Sequence, residues 1–168
     1  MSGHERFDGI RCVARGYTII TSLLQILAPD LGGREGGYLC VADRKGLPVF
    51  LVRMGEIPEE KLNQYYTNAL EKALRLSYAH AFDGHMLSRQ SRNEARQRWT
   101  GAVSGTIWIW SFSGFPEDCD EIFTVALALG YGDISYIEAL RLLRHNCKDE
   151  NPHLKKVDGL LQTLAGAH

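Results

Sequence analysis

No two cysteines in this sequence are spaced as a metal knuckle or a redox couple. Cys12, Cys40, Cys119 and Cys147 stand far apart, which removes CxxC zinc sites and a disulfide framework as organising devices. They read as reduced thiols whose role is packing, with Cys40 in an apolar strand pattern and Cys12 at the opening of a helix. Long apolar runs are also missing. The longest, Tyr17 to Ala28, is broken by Thr18, Thr21, Ser22 and Gln25 and falls short of the roughly 20 residues a bilayer span requires. His4, Glu5, Arg6 and Asp8 offer no apolar core behind a basic start, so no secretion signal is expected. Charge of neither sign prevails: 19 Lys and Arg face 20 Asp and Glu, for a formal net charge of −1. A chain so balanced has no general attraction to nucleic acid or to an anionic membrane surface, and neither partner is expected. No GxSxG elbow and no HExxH pair occurs, and the glycine-rich stretch Leu31 to Gly37 lacks the Lys-Ser/Thr ending of a phosphate loop. The simplest reading is a cytosolic protein with no visible catalytic set.

What is present suffices for one globular domain. The 168 residues are 45% hydrophobic and 23% charged, and they divide into a domain over 1–150 and a helical tail over 151–168. The organising stretch is Ser104 to Leu129. Thr106 to Trp110 is β-branched and aromatic, as a half-buried strand demands. Pro116 then suits a first helical turn, Glu117, Asp118, Asp120 and Glu121 suit its positive dipole end, and Ile122, Phe123, Val125, Ala126 and Leu129 form an apolar stripe. Ser113 and Gly114 therefore fall at a strand-to-helix corner, a common place for a ligand.

Upstream, Ile10, Val13, Ala14, Tyr17, Ile20, Leu24 and Leu27 define one face of a helix that Asp8 caps and Pro29 ends. Leu31 to Gly37 reads as a flexible turn. Tyr38 to Ala42 and Leu47 to Arg53 form a β-hairpin across Asp43 to Gly46, and Pro58 opens a long helix with Leu62, Tyr65, Tyr66, Ala69, Leu70, Ala73, Leu74, Ser77 and Tyr78 on its apolar face. Trp99 to Val103 reads as a further short strand. Ser135 with Glu138 has capping-box spacing before another helix, and Leu154 to Leu164, after Asn151-Pro152, packs on the domain or on a neighbouring subunit.

His80 to Arg98 is the least regular part. Ser91 and Glu94 have capping-box spacing, and Arg89, Arg92 and Arg96 fall near one another as an anion-binding patch or as a solvated helix face. His80 and His85 are five apart, a step that does not stack them on one helical face, and His145 with Cys147 lies near an exposed helix end. Asp43 and Arg53 either pair across the hairpin or contribute to binding.

Three stretches, taken in order, resemble the GlcG/HbpS-like family, which includes the C-terminal domain of PduO-type proteins and carries the label haem-degrading domain. They are Val41-Ala42-Asp43 with Gly46 and Arg53-Met54; Ala69 with Lys72-Ala73; and Ser113 to Glu117 with Asp120-Glu121. The likeness spans Val13 to Leu129. Leu74 departs from it where the family has a small or hydroxylated residue, and the arginine-rich segment replaces an apolar glycine-rich one. The resemblance implies an α+β fold, a profilin-like antiparallel sheet flanked by helices, assembled as a homo-oligomer and binding a small molecule, with haem or a corrinoid such as cobalamin as family ligands. The candidate ligand-binding set is Asp43, Arg53, Lys72, His80, His85, Arg89, Ser113, Gly114 and Glu117. For a tetrapyrrole, His80, His85 or Met86 would face the metal, and Arg89 or Arg92 the propionates. The competing reading is a non-catalytic oligomeric scaffold whose pocket has been lost; an enzyme comes third. Self-association is expected because one sheet with a few helices does not readily hide Trp99, Trp108, Trp110, Tyr65, Tyr66 and Phe112 together.

Overall fold

In a computed structural model, residues 6–145 and 150–167 are described; His4, Glu5 and Cys147 lie outside them. Helix α1 spans Gly9–Ile26 and starts where Asp8 Oδ1 accepts the Arg11 N–H at 3.0 Å. It ends ahead of Pro29, as the sequence requires. The strands β1 (Glu35–Ala42) and β2 (Pro48–Glu56) form the hairpin. Its turn is held by Asp43, whose Oδ1 accepts the N–H groups of Lys45 and Leu47, at 2.8 and 3.0 Å. Helix α2 covers Leu62–Asp83, and two strands, β3 (Ala102–Ser104) and β4 (Ile109–Ser113), complete an antiparallel sheet of order β2-β1-β4-β3. Three more helices follow: α3 (Glu117–Tyr131), α4 (Tyr136–Leu143) and α5 (Leu154–Ala165). The fold is α+β, a four-stranded antiparallel sheet flanked by five helices.

The strand period of two separates two cores. Leu39, Val41, Trp110 and Phe112 face the larger one with α1, α3, α4 and α5, while Cys40, Ala42, Ala102 and Ile109 face α2. Helix α3 is enclosed on every side; from Cys119 to Gly130 each residue is buried. Leu154, Val157, Leu161 and Leu164 of α5 enter the same core, so the C-terminal helix packs on its own domain. No helix among the described residues is long and apolar enough to cross a membrane.

Three sequence expectations are corrected here. The strand expected at Thr106 to Trp110 lies at Ile109–Ser113, because Asp133 captures its lead-in. That carboxylate accepts the N–H of Ile107 at 2.7 Å, of Trp108 at 3.1 Å and of the Trp110 indole at 2.7 Å, folding 105–108 into a turn. The glycine-rich turn is half strand: Gly36 and Gly37 belong to β1, and only Gly32 and Gly33 turn, at φ +60° and +75°. Finally, the apolar face of α2 is rotated. Ala69, Lys72, Ala73, Leu76 and Ser77 are buried, whereas Tyr66, Leu74 and Tyr78 remain 43%, 44% and 59% exposed.

The aromatics expected to need a partner subunit are largely hidden in one chain. Trp110 and Phe112 are fully buried, and Trp108, half-buried, meets the edge of Phe7, whose ring also packs with Phe50 and Tyr131.

Candidate functional site

The strand-to-helix corner is built on glycine. A Cβ on Gly114 would come within 2.2 Å of the Gly36 carbonyl oxygen, and one on Gly37 within 2.2 Å of the Ser113 carbonyl oxygen. Only glycine lets β1 and the corner backbone meet this closely. Beside the corner opens a cleft of about 750 Å³ between the Gly32–Gly36 turn, the N-terminal half of α2 and the start of α3. Its wall on this side is a stripe of polar groups, Lys61 at the N-cap of α2 and Tyr65, Asn68 and Lys72 within it, at three- and four-residue steps on one face. Trp99 and Ser113 close it opposite.

At the inner end lies a buried ion pair. Lys72, 1% exposed, donates from Nζ to the Phe112 carbonyl oxygen at 2.9 Å and to Asp120 Oδ2 at 2.8 Å. Asp120 Oδ1 accepts the Phe115 N–H at 2.8 Å, which fixes the corner to the first turn of α3. Burial pushes the Asp120 carboxyl up to about 6, against the pull of Lys72 and the Phe115 N–H. Glu117 behaves oppositely. Burial works to raise it, but Arg92, the Thr100 N–H and Lys72 together hold its carboxyl below the usual carboxylate range. Arg92 grips it with Nε and Nη2 at 2.8 to 3.1 Å, and Thr100 donates to it at 2.9 Å.

The arginine-rich segment therefore divides: Arg89 and Arg92 are tied to carboxylates and form no free anion patch, while 92–97, with Arg96, is an exposed, solvated stretch. Arg89 pairs with Asp118 and, at 2.9 Å, with Glu121; Arg92 pairs with Glu117 and Glu94. Arg75 of α2 ties the segment down from beneath, donating to the carbonyls of Ser88 and Trp99 and to Ser91 Oγ. Ser91 is thus occupied, and the short turn at Glu94–Arg96 is capped by Asn93 instead. Glu121 is a second buried hub. It receives His145 Nε2 at 2.6 Å, Arg89 Nε at 2.9 Å and Asn151 Nδ2 at 3.1 Å. Burial would raise its carboxyl, but these three donors hold it low. His145 accordingly lies inside, its side chain 8% exposed, and not at an exposed end.

Of the nine candidate residues, Lys72, Ser113, Gly114 and Glu117 come together in this cleft. The other five do not. Asp43 is spent on the hairpin turn, and Arg53 pairs with Glu56 at 3.0 Å, so the two make no cross-hairpin bridge. His80, near the end of α2, donates from Nδ1 to the His85 carbonyl oxygen at 2.9 Å, which fixes its tautomer. Arg89 lines a second cleft of about 600 Å³, with Met86, Arg44 and Arg141. Among the described residues no group of three or more His, Cys, Asp or Glu is arranged to hold a metal ion. The three described thiols are buried, and burial pushes each up to about 12, which keeps them unreactive.

Sequence reasoning missed Tyr65, Asn68 and Trp99 as cleft residues. Tyr65 looked apolar by its place in the stripe; the polar repeat Lys61, Tyr65, Asn68, Lys72 was the signal that could have found this wall. For a haem or corrinoid the lining of the corner cleft offers no imidazole, thioether or thiol, and leaves the Tyr65 phenol as the side chain of a kind that meets haem iron axially. Comparison of the sequence with models of known families finds no match, and comparisons with curated proteins and with solved structures find none.

Proposed function

We propose that this chain is a small-molecule-binding domain, cytosolic and accessory to metabolism, whose ligand occupies the cleft at the β4–α3 corner. One observation carries the reading: an open cleft whose wall presents hydrogen-bonding groups with nothing to bind. Among the described residues, the Tyr65 hydroxyl, the Asn68 amide and the Ser113 hydroxyl all line the cleft without a side-chain partner. Ser113 is only 4% exposed. Partly buried groups of this kind cost stability unless a ligand or water satisfies them. The open cleft also weighs against a scaffold that has lost its pocket.

The GlcG/HbpS-like resemblance suggests haem or cobalamin, and the lining favours a smaller polar molecule. Both are tested by thermal unfolding against a metabolite library beside absorbance titration with haemin and cobalamin. A ligand at a hundred times its Kd stabilises by about 2.7 kcal/mol, a rise in Tm of about 5–10 °C. If nothing in the library shifts Tm, and neither tetrapyrrole gives a saturable spectral change, the reading fails.

We also propose a second copy of the chain as partner, on an observation other than the aromatics first suspected. Tyr66, Leu70, Leu74, Tyr78 and Phe82 follow one another at four-residue steps along α2, and Phe82 is 82% exposed. Beside them β2 is an edge strand, with Val49 44% and Leu47, at its mouth, 60% exposed. A two-fold axis perpendicular to the sheet beside β2 would pair the two edge strands antiparallel and keep both α2 stripes on one face, where they can meet. Light scattering behind size exclusion tests this: a mass near 18.8 kDa at tens of micromolar protein refutes it.

A further inference from the structure

The ammonium of Lys72 has three N–H donors, and its surroundings occupy two, the Phe112 carbonyl oxygen and Asp120 Oδ2. Among the described residues the third meets no acceptor, although the side chain is 2% exposed and lines the cleft. Ser113 stands close by on the same face of the sheet as Ser111, whose hydroxyl donates to the Ala69 carbonyl of α2. The Ser113 hydroxyl has no such partner. The carboxylates near these donors are already satisfied. Asp120 is held by Lys72 and the Phe115 N–H, and Glu117 by Arg92 and the Thr100 N–H. What remains at the inner end is donor capacity, in a place where a charge-assisted hydrogen bond is little weakened by water.

From this we infer that the ligand of the corner cleft is a small organic monocarboxylate, its oxygens received by Lys72 Nζ and the Ser113 hydroxyl. The inference rests on the cleft's being a ligand site. The outer rim sets the charge. Arg34 and Lys61 stand among Glu35, Glu56 and Glu60, so the mouth offers no net positive field to draw a phosphate or a dicarboxylate. Ile57, Phe115 and Pro116 give the ligand's hydrocarbon part apolar contact.

The test uses the whole chain and paired probes: acetate, propionate and benzoate against acetamide, propionamide and benzamide, followed by calorimetry and amide chemical-shift mapping. At least one carboxylate is expected to bind saturably, to move resonances of Ser113 to Glu117, and to bind tenfold or more tightly than its amide. Ser113→Ala removes a hydroxyl that bonds no protein group, so Tm without ligand should not fall while carboxylate affinity drops about tenfold. Equal affinity for acid and amide, or undiminished affinity in Ser113→Ala, overturns the inference. If the carboxylates fail while a neutral library compound shifts the same resonances, the monocarboxylate is wrong and the binding reading survives. If no probe or library compound reaches the cleft, both fall.

Discussion

Replacing Lys72 by Met keeps the length of the side chain and deletes its charge, so it asks what the buried ammonium does for Asp120. Breaking a buried ion pair by removing one partner costs about 3–5 kcal/mol, because the remaining carboxyl must either stay charged in the low-dielectric interior or take up a proton. Against a typical total of about 5–15 kcal/mol, the variant should still fold but be much weakened. The pH dependence is more diagnostic than the size. In the native protein burial has already raised the Asp120 carboxyl to about 6, above the unfolded value near 3.9. A carboxyl raised on folding contributes stability that is present below the unfolded value and lost as pH rises through the folded one. Native Asp120 has therefore completed that loss by pH 7. Without Lys72 the carboxyl moves higher still and holds a proton at neutrality, so the loss continues. Between pH 6 and pH 8 the variant should weaken by up to about 1.4 kcal/mol per unit, while the native protein loses only the last few tenths by pH 7 and is flat above it in this respect. We expect a deficit of about 3 kcal/mol at pH 6 growing to about 5 at pH 8. Urea unfolding read by the buried Trp110 measures both. A deficit below about 1 kcal/mol, or one that does not change with pH, would refute the account.

Glu121→Gln should cost about 3 kcal/mol at pH 7, the lower end for a buried pair, because Arg89 keeps Asp118 and is itself partly exposed. Since the Glu121 carboxyl is held low, its contribution is present above the unfolded value and lost as pH falls through the folded one. The gap between native and variant proteins in urea unfolding should therefore narrow below about pH 4. Gly114→Ala places a methyl 2.2 Å from the Gly36 carbonyl; it should lower Tm and abolish binding in the cleft together, and retention of both would mean the corner is looser than described. Cys12, Cys40 and Cys119, with thiols near 12, should be silent to a thiol reagent at pH 8 until urea unfolds the chain; prompt reaction of any of the three would contradict their burial.

Much of the scaffold was legible because its signals are local. Asp8 and Pro29 bound α1, Ser135 and Glu138 form the reciprocal cap of α4, with bonds at 3.2 and 2.7 Å, and Pro116 leads into α3. The strand before the corner was misplaced by three residues because its position depends on Asp133, remote in sequence, which takes the N–H groups a strand would have used. Half of the candidate site was legible for the same reason: Ser113, Gly114 and Glu117 belong to one turn. Lys72 came only from the family likeness, since nothing local says that a lysine on an exposed-looking helix face is buried. Its burial is decided by Asp120 and a β4 carbonyl, 48 and 40 residues away. Arg53 came from the family likeness and the histidines from chemistry alone, and position sent all of them elsewhere.

The stretch between Gly84 and Trp99 is attached to the rest of the molecule by a different physics from the helices around it. Leu87 is its single buried apolar side chain, and the guanidinium groups of Arg75, Arg89 and Arg92 supply most of its fastening. Attachment of that kind does not fade on cooling as apolar burial does, but it is open to competition from dissolved ions. Amide hydrogens of 88–98 should therefore exchange through a local opening that added salt hastens, while those of α3 wait for the whole chain to unfold. Trp99 stands at the end of this stretch and on the wall of the cleft, so ionic strength would be felt there as a change in how firmly one side of the site is held.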